Sequence, residues 1–550
     1  MRYIRIYKPI LIVLILLITN SSFSQNEFLD AAKKGDLELV KQIVEEGETE
    51  VDSRDADGAT AMLLAADKGK IEVVKYLVSK GADPKATDNF GWTGIMVAAD
   101  GVGVEVSVSY GDNPNTDRLI KEREISEKAI ENLIPYFVAQ GVDINAINSD
   151  GKTALIIAAS KGKANIVEVL IDNGADPEFL DDSKNTALHY AAFYGNIDAF
   201  EKIYAKSSTI DVQNVYGESP LLMALKNEQI EMAKFIANNY ADVNLQDNSG
   251  LSPFIASFAL ENMELVEFFH SKDGDVNAVI AGETPLIHVL ASSNLYNFFS
   301  FCLRNGADIK AVAKNGSTII HEAAKVGTLT IIKTYLPDYD TVDIVDNENR
   351  TPLIYAAYNG HIKIMEFFLS KGANVDHADN GNGTALIHAS SAGKLEAVNL
   401  LLSVGANVNV KDDKETTALI YAAKAGNLEI VKALHKKGAL INDSDYNRST
   451  PLQFAVLGKN YEMVEYFLKN KAKVDEANTK GQTALMIACY NKDMPMIERL
   501  LKAKADINKE DIDGNNMLFY AGSEEIKSFL ISKGVKEEEE EVEEESGDED

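Results

Sequence analysis

The stretch 148–180, NSDGKTALIIAASKGKANIVEVLIDNGADPEFL, decides the fold of this chain. It opens with a turn at Gly151, because glycine tolerates the positive φ of a tight turn, and Thr153 follows as a helix N-cap. Apolar residues then recur at helical spacing in two short runs, which end at Gly162 and Gly174. The stretch therefore predicts a turn, a helix, a second turn and a second helix.

Neither predicted helix is long enough to be stable alone in water, so the unit must stack on copies of itself. The capping residue recurs mostly at intervals of 33 residues, and the exceptions are intervals of 32, 34 and 60, the last of which contains an insertion of 27 residues. With an opening copy near Glu27, fifteen units are predicted. The capping positions are Thr60, Thr93, Thr153, Thr186, Ser219, Ser252, Thr284, Thr318, Thr351, Thr384, Thr417, Thr450, Thr483 and Asn516.

This pattern resembles the ankyrin repeat, most clearly at 351–353 (TPL) and 372–375 (GANV), and the resemblance extends over about 26–534. It implies an all-α repeat solenoid, in which helix-turn-helix units carrying β-turn or hairpin fingers stack on one another. In that family, the finger turns and the ends of the first helices are implied to line a concave face that contacts partner proteins.

Residues 1–24 are predicted to be a cleavable signal peptide, because a cationic start is followed by a short apolar run and small residues. The alternative is an uncleaved membrane anchor, which needs a longer apolar run of about 20 residues. We therefore predict export to the periplasm or the extracellular space. The mature chain is predicted to contain a solenoid over 25–535 and a disordered acidic tail over 536–550.

An insertion at 100–126 interrupts the third repeat. Its first half alternates valine with small or polar residues, as is typical of a strand, and a helix is predicted from Thr116 or Asp117. Pro135 should kink or end that helix. Two interpretations of the insertion stay open: a functional, ordered excursion and a tolerated surface loop.

The formal net charge is −31, and removal of the signal's Arg2, Arg5 and Lys8 makes it −34. Subtracting the 11 acidic residues of the tail leaves −23, so the solenoid itself is acidic. This argues against nucleic acid and anionic membrane surfaces as partners, since both require a cationic face. A basic partner protein fits this charge, while the tail is also explained by solubility alone.

The sequence contains no P-loop, nucleophile-elbow or H-E-x-x-H string. We therefore predict a non-enzymatic protein without a metal or a cofactor.

Cys302 and Cys489 lie six repeats apart, too far for a disulfide in a stacked array, and are predicted to be small buried residues. The resemblance implies that one histidine of each T-P-L-H motif hydrogen-bonds backbone between repeats, and four are predicted to share that place: His189, His288, His321 and His388.

Aromatic residues at finger turns and at the ends of first helices are the candidate partner-binding residues, because aromatic side chains concentrate binding energy at interfaces. The alternative is that these rings pack on one another. The predicted function is a monomeric, non-catalytic scaffold that binds another protein. The alternatives are a secreted effector or inhibitor of another cell's proteins, and a ligand-binding or catalytic module formed with the insertion. The candidate partner-binding residues are Phe90, Trp92, Phe193, Tyr194, Tyr216, Tyr358, Tyr446 and Tyr490.

Overall fold

The computed structural model describes residues 25–47, 49–101, 116–293 and 295–536, and it gives only the backbone of 116–127. The predicted signal peptide, most of the insertion and almost all of the acidic tail lie outside these residues. The chain divides into two compact units, Met1–Ala281 and Gly282–Asp550, called here the N-terminal and C-terminal units. No helix of the described ranges is both long and apolar enough to cross a membrane.

The N-terminal unit alternates a first and a second helix in each repeat. Its first helices are α1 (25–34), α3 (Ala61–Asp67), α5 (Gly94–Asp100), α7 (Ala154–Ser160), α9 (Ala187–Tyr194), α11 (Pro220–Lys226) and α13 (Pro253–Ala259). Its second helices are α2 (Leu37–Glu46), α4 (Ile71–Ser79), α6 (Thr116–Ala139), α8 (Ala164–Asp172), α10 (Ile197–Tyr204), α12 (Ile230–Asn238) and α14 (Met263–His270). The short strand β1 (Val279–Ile280) comes after them.

The C-terminal unit continues the alternation after strand β2 (Thr284–Pro285). Its first helices are α15 (Leu286–Ser292), α17 (Ile319–Val326), α19 (Pro352–Asn359), α21 (Ala385–Ser391), α23 (Ala418–Lys424), α25 (Pro451–Leu457) and α27 (Ala484–Tyr490). Its second helices are α16 (Tyr296–Arg304), α18 (Leu329–Tyr335), α20 (Ile362–Ser370), α22 (Leu395–Ser403), α24 (Leu428–Lys436), α26 (Tyr461–Lys469), α28 (Met494–Lys502) and α29 (Glu524–Ser532). A single 3-10 turn, Leu336–Asp338, extends α18.

The predicted unit at 148–180 is confirmed in its details. Thr153 has an extended backbone, and its Oγ1 accepts a hydrogen bond from the Ile156 N–H at 3.4 Å, so α7 begins where the N-cap prediction places it. Gly151 adopts a φ of +71° in the turn before the helix. Ala158 and Ala159 are completely buried, because helices of neighbouring repeats approach closely only over small side chains.

The capping prediction at Thr284 is wrong. The N-cap of α15 is Pro285, not Thr284, and Thr284 belongs to β2. With Pro285 as the cap, the intervals to Ser252 and Thr318 are both 33 residues, so the 32- and 34-residue irregularity disappears. Proline has no N–H to offer, and the Nδ1 atom of the buried His288 consequently has no partner in the described part of the protein.

The turns that precede the first helices, here called the fingers, are joined by backbone hydrogen bonds within each unit. The N–H at a finger tip donates to a carbonyl of the preceding finger, as from Asn248 to Tyr216 and from Ile512 to Lys480. Isolated antiparallel bridges, such as Ala378 with Thr384, close some fingers as hairpins. This bonding holds the fingers side by side, as the prediction of hairpin fingers requires.

Two other predictions are tested at repeats with unusual sequences. α6 begins at Thr116 as predicted, but it runs on to Ala139 with Pro135 inside it, so Pro135 does not end the helix.

In the fifteenth repeat, no first helix follows Asn516, and residues 517–520 form a turn instead. The shortened connection before α29 leaves too little chain for a helix there, so the predicted last helix pair is incomplete.

Candidate functional site

Most fingers are closed by an acidic or amide side chain five residues before the cap. Asp511 shows the arrangement: its Oδ1 accepts the backbone N–H groups of Asp513 and Asn515, both at 2.9 Å. Its Oδ2 accepts the hydroxyl of Tyr520. Because the hydrogen bonds from Tyr520 and Asn515 favour the charged form, the pKa of Asp511 is lowered to about 2.

The tyrosine in this arrangement fastens the finger to the first helix. Tyr190 donates to Asp181 at 2.7 Å, and Tyr355 donates to Asp346 at 2.6 Å. Burial and the adjacent carboxylate raise the pKa of both hydroxyls, so they are hydrogen-bond donors at neutral pH. The fingers are therefore fixed in position before any partner arrives.

The predicted role of the T-P-L-H histidine is confirmed at His189. Its Nδ1 accepts the Thr186 N–H at 3.1 Å, so the proton lies on Nε2, which donates to the Glu218 carbonyl of the next repeat at 3.1 Å. Burial lowers the pKa of this imidazole to about 4. His321 makes the same bonds with Thr318 and with the next repeat, and Gln453 replaces the histidine in the thirteenth repeat.

His288 also reaches the next repeat, at the Ala311 carbonyl, but the prediction is wrong for His388. His388 lies four residues after its cap Thr384, whereas His189 lies three residues after Thr186. The Nε2 atom of His388 consequently lies 2.7 Å from Asp379 Oδ2. That is the position that Tyr190 and Tyr355 occupy in their repeats. His388 therefore supports its own finger, and among the described residues it forms no hydrogen bond to backbone of the next repeat.

The first candidate binding surface is the aromatic pocket, which has a volume of about 150 Å³. It is lined by Asn185, His189, Tyr190, Phe193, Tyr194 and Met223. Phe193 and Tyr194 meet edge to face, with ring centroids 4.8 Å apart. The ammonium group of Lys152 lies 5.1 Å from the Tyr190 ring centroid. The pocket is thus small, and one of its rings already has a cation from the chain beside it.

The second surface is the C-terminal groove, which crosses the last three repeats and has a volume of about 880 Å³. Four of its apolar side chains are largely exposed: Leu457 (56%), Tyr490 (72%), Ile512 (69%) and Phe519 (69%). Large exposed apolar patches mark interaction sites in soluble proteins. The groove is also lined by Lys480, Asp511 and Asp513, which give it a charged rim.

The groove exists because the array changes at its fifteenth repeat. Phe519 stands three residues after Asn516, the place of His189 and Gln453 in their repeats. Those two side chains are buried against the following repeat. In the described part of the chain no further repeat covers Phe519, and its ring faces the groove.

Comparison with known families agrees with this architecture. A family model described as "Ankyrin repeats (3 copies)" matches residues 28–107, 125–214, 287–379, 320–412, 386–478 and 470–540, and a single "Ankyrin repeat" model matches 216–248. Together these ranges cover most of the chain. The chain belongs to the ankyrin-repeat family.

The ankyrin resemblance seen in the sequence is thereby confirmed, and the number of repeats is roughly consistent with the matches. Among solved structures, the crystal structure of the human ASB11 ankyrin repeat domain is 24% identical over 40% of this chain and 100% of that chain, with a TM-score of 0.37. A search of curated proteins found no match to this chain. Ankyrin arrays are generally protein-protein interaction modules and are typically non-catalytic.

The structure brings few of the predicted site residues together. Phe193 and Tyr194 share the aromatic pocket, and Tyr490 lies in the C-terminal groove. Tyr358 is exposed and meets the ring of His388 edge to face. The remaining four stand on three other fingers, with Phe90 and Trp92 on the same one. Trp92 is half-buried and the others are exposed: Phe90, Tyr216 and Tyr446.

Sequence reasoning missed most of the groove. Phe454, Leu457, Ile512 and Phe519 were not predicted, although aligning the fifteenth repeat with the others places Phe519 at a position that is normally buried. An aromatic residue at this position of a terminal repeat indicates an exposed apolar side chain. Recognising it requires comparing each residue of the fifteenth repeat with its equivalent in a complete repeat.

Other chemistry is limited in the part of the chain that the structure describes. No group of three or more His, Cys, Asp or Glu side chains is placed there to hold a metal ion. Cys302 and Cys489 are free and buried, and burial raises the pKa of both thiols to about 12. Both thiols are therefore protonated at neutral pH.

Proposed function

We propose that this ankyrin array is a non-catalytic, monomeric scaffold that binds a partner protein in its C-terminal groove. The proposal rests on four exposed apolar side chains that line one groove with a volume of about 880 Å³: Leu457, Tyr490, Ile512 and Phe519. Burying a large apolar side chain stabilises a complex by about 1.5–3 kcal/mol. The groove therefore offers more binding energy than any single exposed finger aromatic.

The fingers that line the groove are positioned without the partner. Ile512 is held by the bond from its N–H to the Lys480 carbonyl at 3.2 Å, and Tyr520 is held by its bond to Asp511. A surface that is already ordered loses little conformational entropy on binding. This supports recognition of a folded or extended protein segment by a largely rigid groove.

We further propose that the scaffold acts in the periplasm or the extracellular space. The support is the sequence of residues 1–24, with its cationic start and short apolar run. Export is tested by fractionating cells and determining the N-terminus of the mature chain. Recovery of the uncleaved chain in the cytoplasm would contradict the proposed location and leave the proposed groove unaffected.

Binding in the groove is tested by placing a photocrosslinking amino acid at position 490 of the full chain. The matched control is position 216, another exposed tyrosine, which lies on a finger of the N-terminal unit. We expect one protein to crosslink strongly at 490 and not at 216. Equal crosslinking at both positions, or no crosslinked protein at 490, would contradict the proposal.

A further inference from the structure

We infer that the C-terminal groove receives an arginine or lysine side chain from an amphipathic segment of the partner protein. The cation would lie between the exposed rings of Tyr490 and Phe519 and the carboxylates of Asp511 and Asp513. This inference rests on the proposed function, because it names the kind of segment that the groove binds.

The carboxylates provide the first argument. Asp511 is ionised, and its side chain is bonded by Tyr520 and Asn515, which are both neutral. Asp513 is exposed. Within the described ranges, neither carboxylate forms an ion pair with a lysine or arginine, and Lys480 on the same rim forms none either. An arriving cation therefore replaces water at these carboxylates and breaks no ion pair of the chain.

The chain itself shows how a cation binds this arrangement. In the tenth repeat, Tyr355 donates to Asp346 just as Tyr520 donates to Asp511. There the guanidinium of Arg350 completes the pair: its Nε lies 3.1 Å from Asp346 Oδ2, and its Cζ lies 5.1 Å from the Tyr355 ring centroid. A cation that contacts both a ring and a carboxylate is thus an arrangement that this repeat accommodates.

The corresponding position in the fifteenth repeat is occupied by Asn515, one residue before the cap, as Arg350 is in the tenth. Its Nδ2 donates to Asp511 Oδ2 at 3.0 Å and carries no charge. In the tenth repeat Arg350 neutralises the charge of Asp346, whereas no side-chain cation of the described residues neutralises the charge of Asp511 in the groove. This difference at the residue before the cap favours a cation supplied by the partner.

The aromatic rings provide the second argument. Phe519 and Tyr520 meet edge to face, with ring centroids 5.3 Å apart and an interplanar angle of 79°, and Phe519 is largely exposed. Lys424 lies 5.4 Å from the ring centroid of Phe454, another ring of the groove. A cation over an exposed ring contributes about 0.5–1 kcal/mol, and about 2 kcal/mol when desolvated.

The aliphatic side chains decide that the ligand is a protein segment and not a free cation. Leu457 and Ile512 line the same groove and are more than half exposed, so apolar groups must accompany the cation to cover them. Arginine suits the site better than lysine, because its planar guanidinium stacks on a ring while it donates to a carboxylate. A segment with one basic residue between apolar residues provides this combination.

The test uses three capped tripeptides and the full chain. The peptides are acetyl-Leu-Arg-Leu-amide, its citrulline analogue, which has the same shape without the charge, and its glutamate analogue. Binding is measured by saturation-transfer NMR titration at low salt. We expect the arginine peptide to bind at least about fivefold more tightly than the citrulline peptide, the ratio that about 1 kcal/mol gives. The glutamate peptide should bind most weakly.

Three variants locate the effect. Tyr490→Ala combined with Phe519→Ala should abolish the binding of all three peptides, and Asp513→Asn should reduce the preference for arginine over citrulline. Tyr240→Ala, at an exposed tyrosine of the N-terminal unit, is the control and should change nothing. Thermal unfolding of each variant establishes that it is folded.

The possible outcomes separate the two proposals. Equal binding of the arginine and citrulline peptides would overturn the inferred cation site and leave the groove as a binding surface. Absence of binding by every peptide at millimolar concentration would overturn the inference and count against the groove. Binding that persists in the Tyr490→Ala, Phe519→Ala variant would place the basic-segment site elsewhere and overturn the inference.

Discussion

The aromatic pocket and the C-terminal groove are built from equivalent positions of the same repeat, and they differ because their neighbouring repeats differ. His189 in the pocket and Gln453 in the groove occupy the same place, and each donates to the backbone of the next repeat. The pocket lies within an uninterrupted series of repeats and encloses about 150 Å³. The groove ends at a repeat without a first helix and encloses about 880 Å³. Exposure of apolar side chains in this array therefore depends on the neighbouring repeat more than on the side chains themselves.

The largest expected difference between the two regions is their response to acid. The pKa of His189 is about 4 in the folded chain, below its ordinary value of about 6.5 in an unfolded chain. As pH falls from about 6.5 to 4, the unfolded chain binds a proton that the folded chain does not. The contribution of His189 to the free energy of unfolding should therefore decrease by about 3 kcal/mol in this window, and this contribution should be constant above it.

The exchange His189→Gln isolates this effect, because Gln453 already shows that glutamine makes the same bonds. Gln453 accepts the Thr450 N–H at 3.0 Å and donates to the Gln482 carbonyl at 2.9 Å. We expect His189→Gln to weaken the acid dependence of urea unfolding between pH 4 and 6.5, and Gln453→His to strengthen it. An unchanged pH dependence in both variants would show that a buried histidine at this position does not cause the acid sensitivity.

The next largest effect concerns binding. Tyr490→Ala with Phe519→Ala in the groove should weaken binding of the partner found by crosslinking by about 30-fold, because two exposed aromatic anchors together contribute about 2 kcal/mol. Phe193→Ala with Tyr194→Ala in the pocket should weaken it less than about threefold. The measurement is the dissociation constant by surface plasmon resonance. The reverse order of effects would move the binding site to the pocket.

A smaller effect is expected from the tyrosines that hold the fingers. Tyr190→Phe removes the donor to the buried Asp181 and should lower the free energy of unfolding by about 1.5 kcal/mol. Tyr520→Phe should cost less, because water can reach the partly exposed Asp511. In that variant the pKa of Asp511 should rise from about 2 toward its ordinary value, since its first hydrogen-bond donor is lost. Urea unfolding and carboxylate NMR titration measure the two effects.

The smallest effect concerns the turn between the two helices of a repeat. The pocket repeat has Gly195 there with φ +74°, whereas the groove repeat has Lys459 with φ +52°. A side chain in this left-handed region costs free energy that glycine avoids. Lys459→Gly should raise the free energy of unfolding by about 0.5–1 kcal/mol. Gly195→Ala should lower it, because the added Cβ would lie 2.4 Å from Gln229 Oε1. A loss of stability in Lys459→Gly would contradict this account.

The repeating part of the fold could be predicted from local sequence. Thr153, Gly151 and the buried alanine pair act within a few residues of themselves, so their spacing alone indicates a capped helix and a turn. The errors occurred where a repeat departs from the pattern. Thr284 looked like a cap, but Pro285 comes next and takes the N-cap position, and His388 was assigned the place of His189 although it lies one residue further from its cap.

The sequence by itself determined the ankyrin repeat, its period and the acidic character of the chain, because these depend on residue identities and short spacings. Only the tertiary structure decided which aromatic residues are available to a partner. Tyr490 and Phe519 are exposed, whereas His189 and Gln453 are buried at a position equivalent to that of Phe519. The physical reason is that burial in a stacked array depends on whether the next repeat supplies a covering surface. That condition involves residues about 30 positions away and is not contained in the pattern of a single repeat.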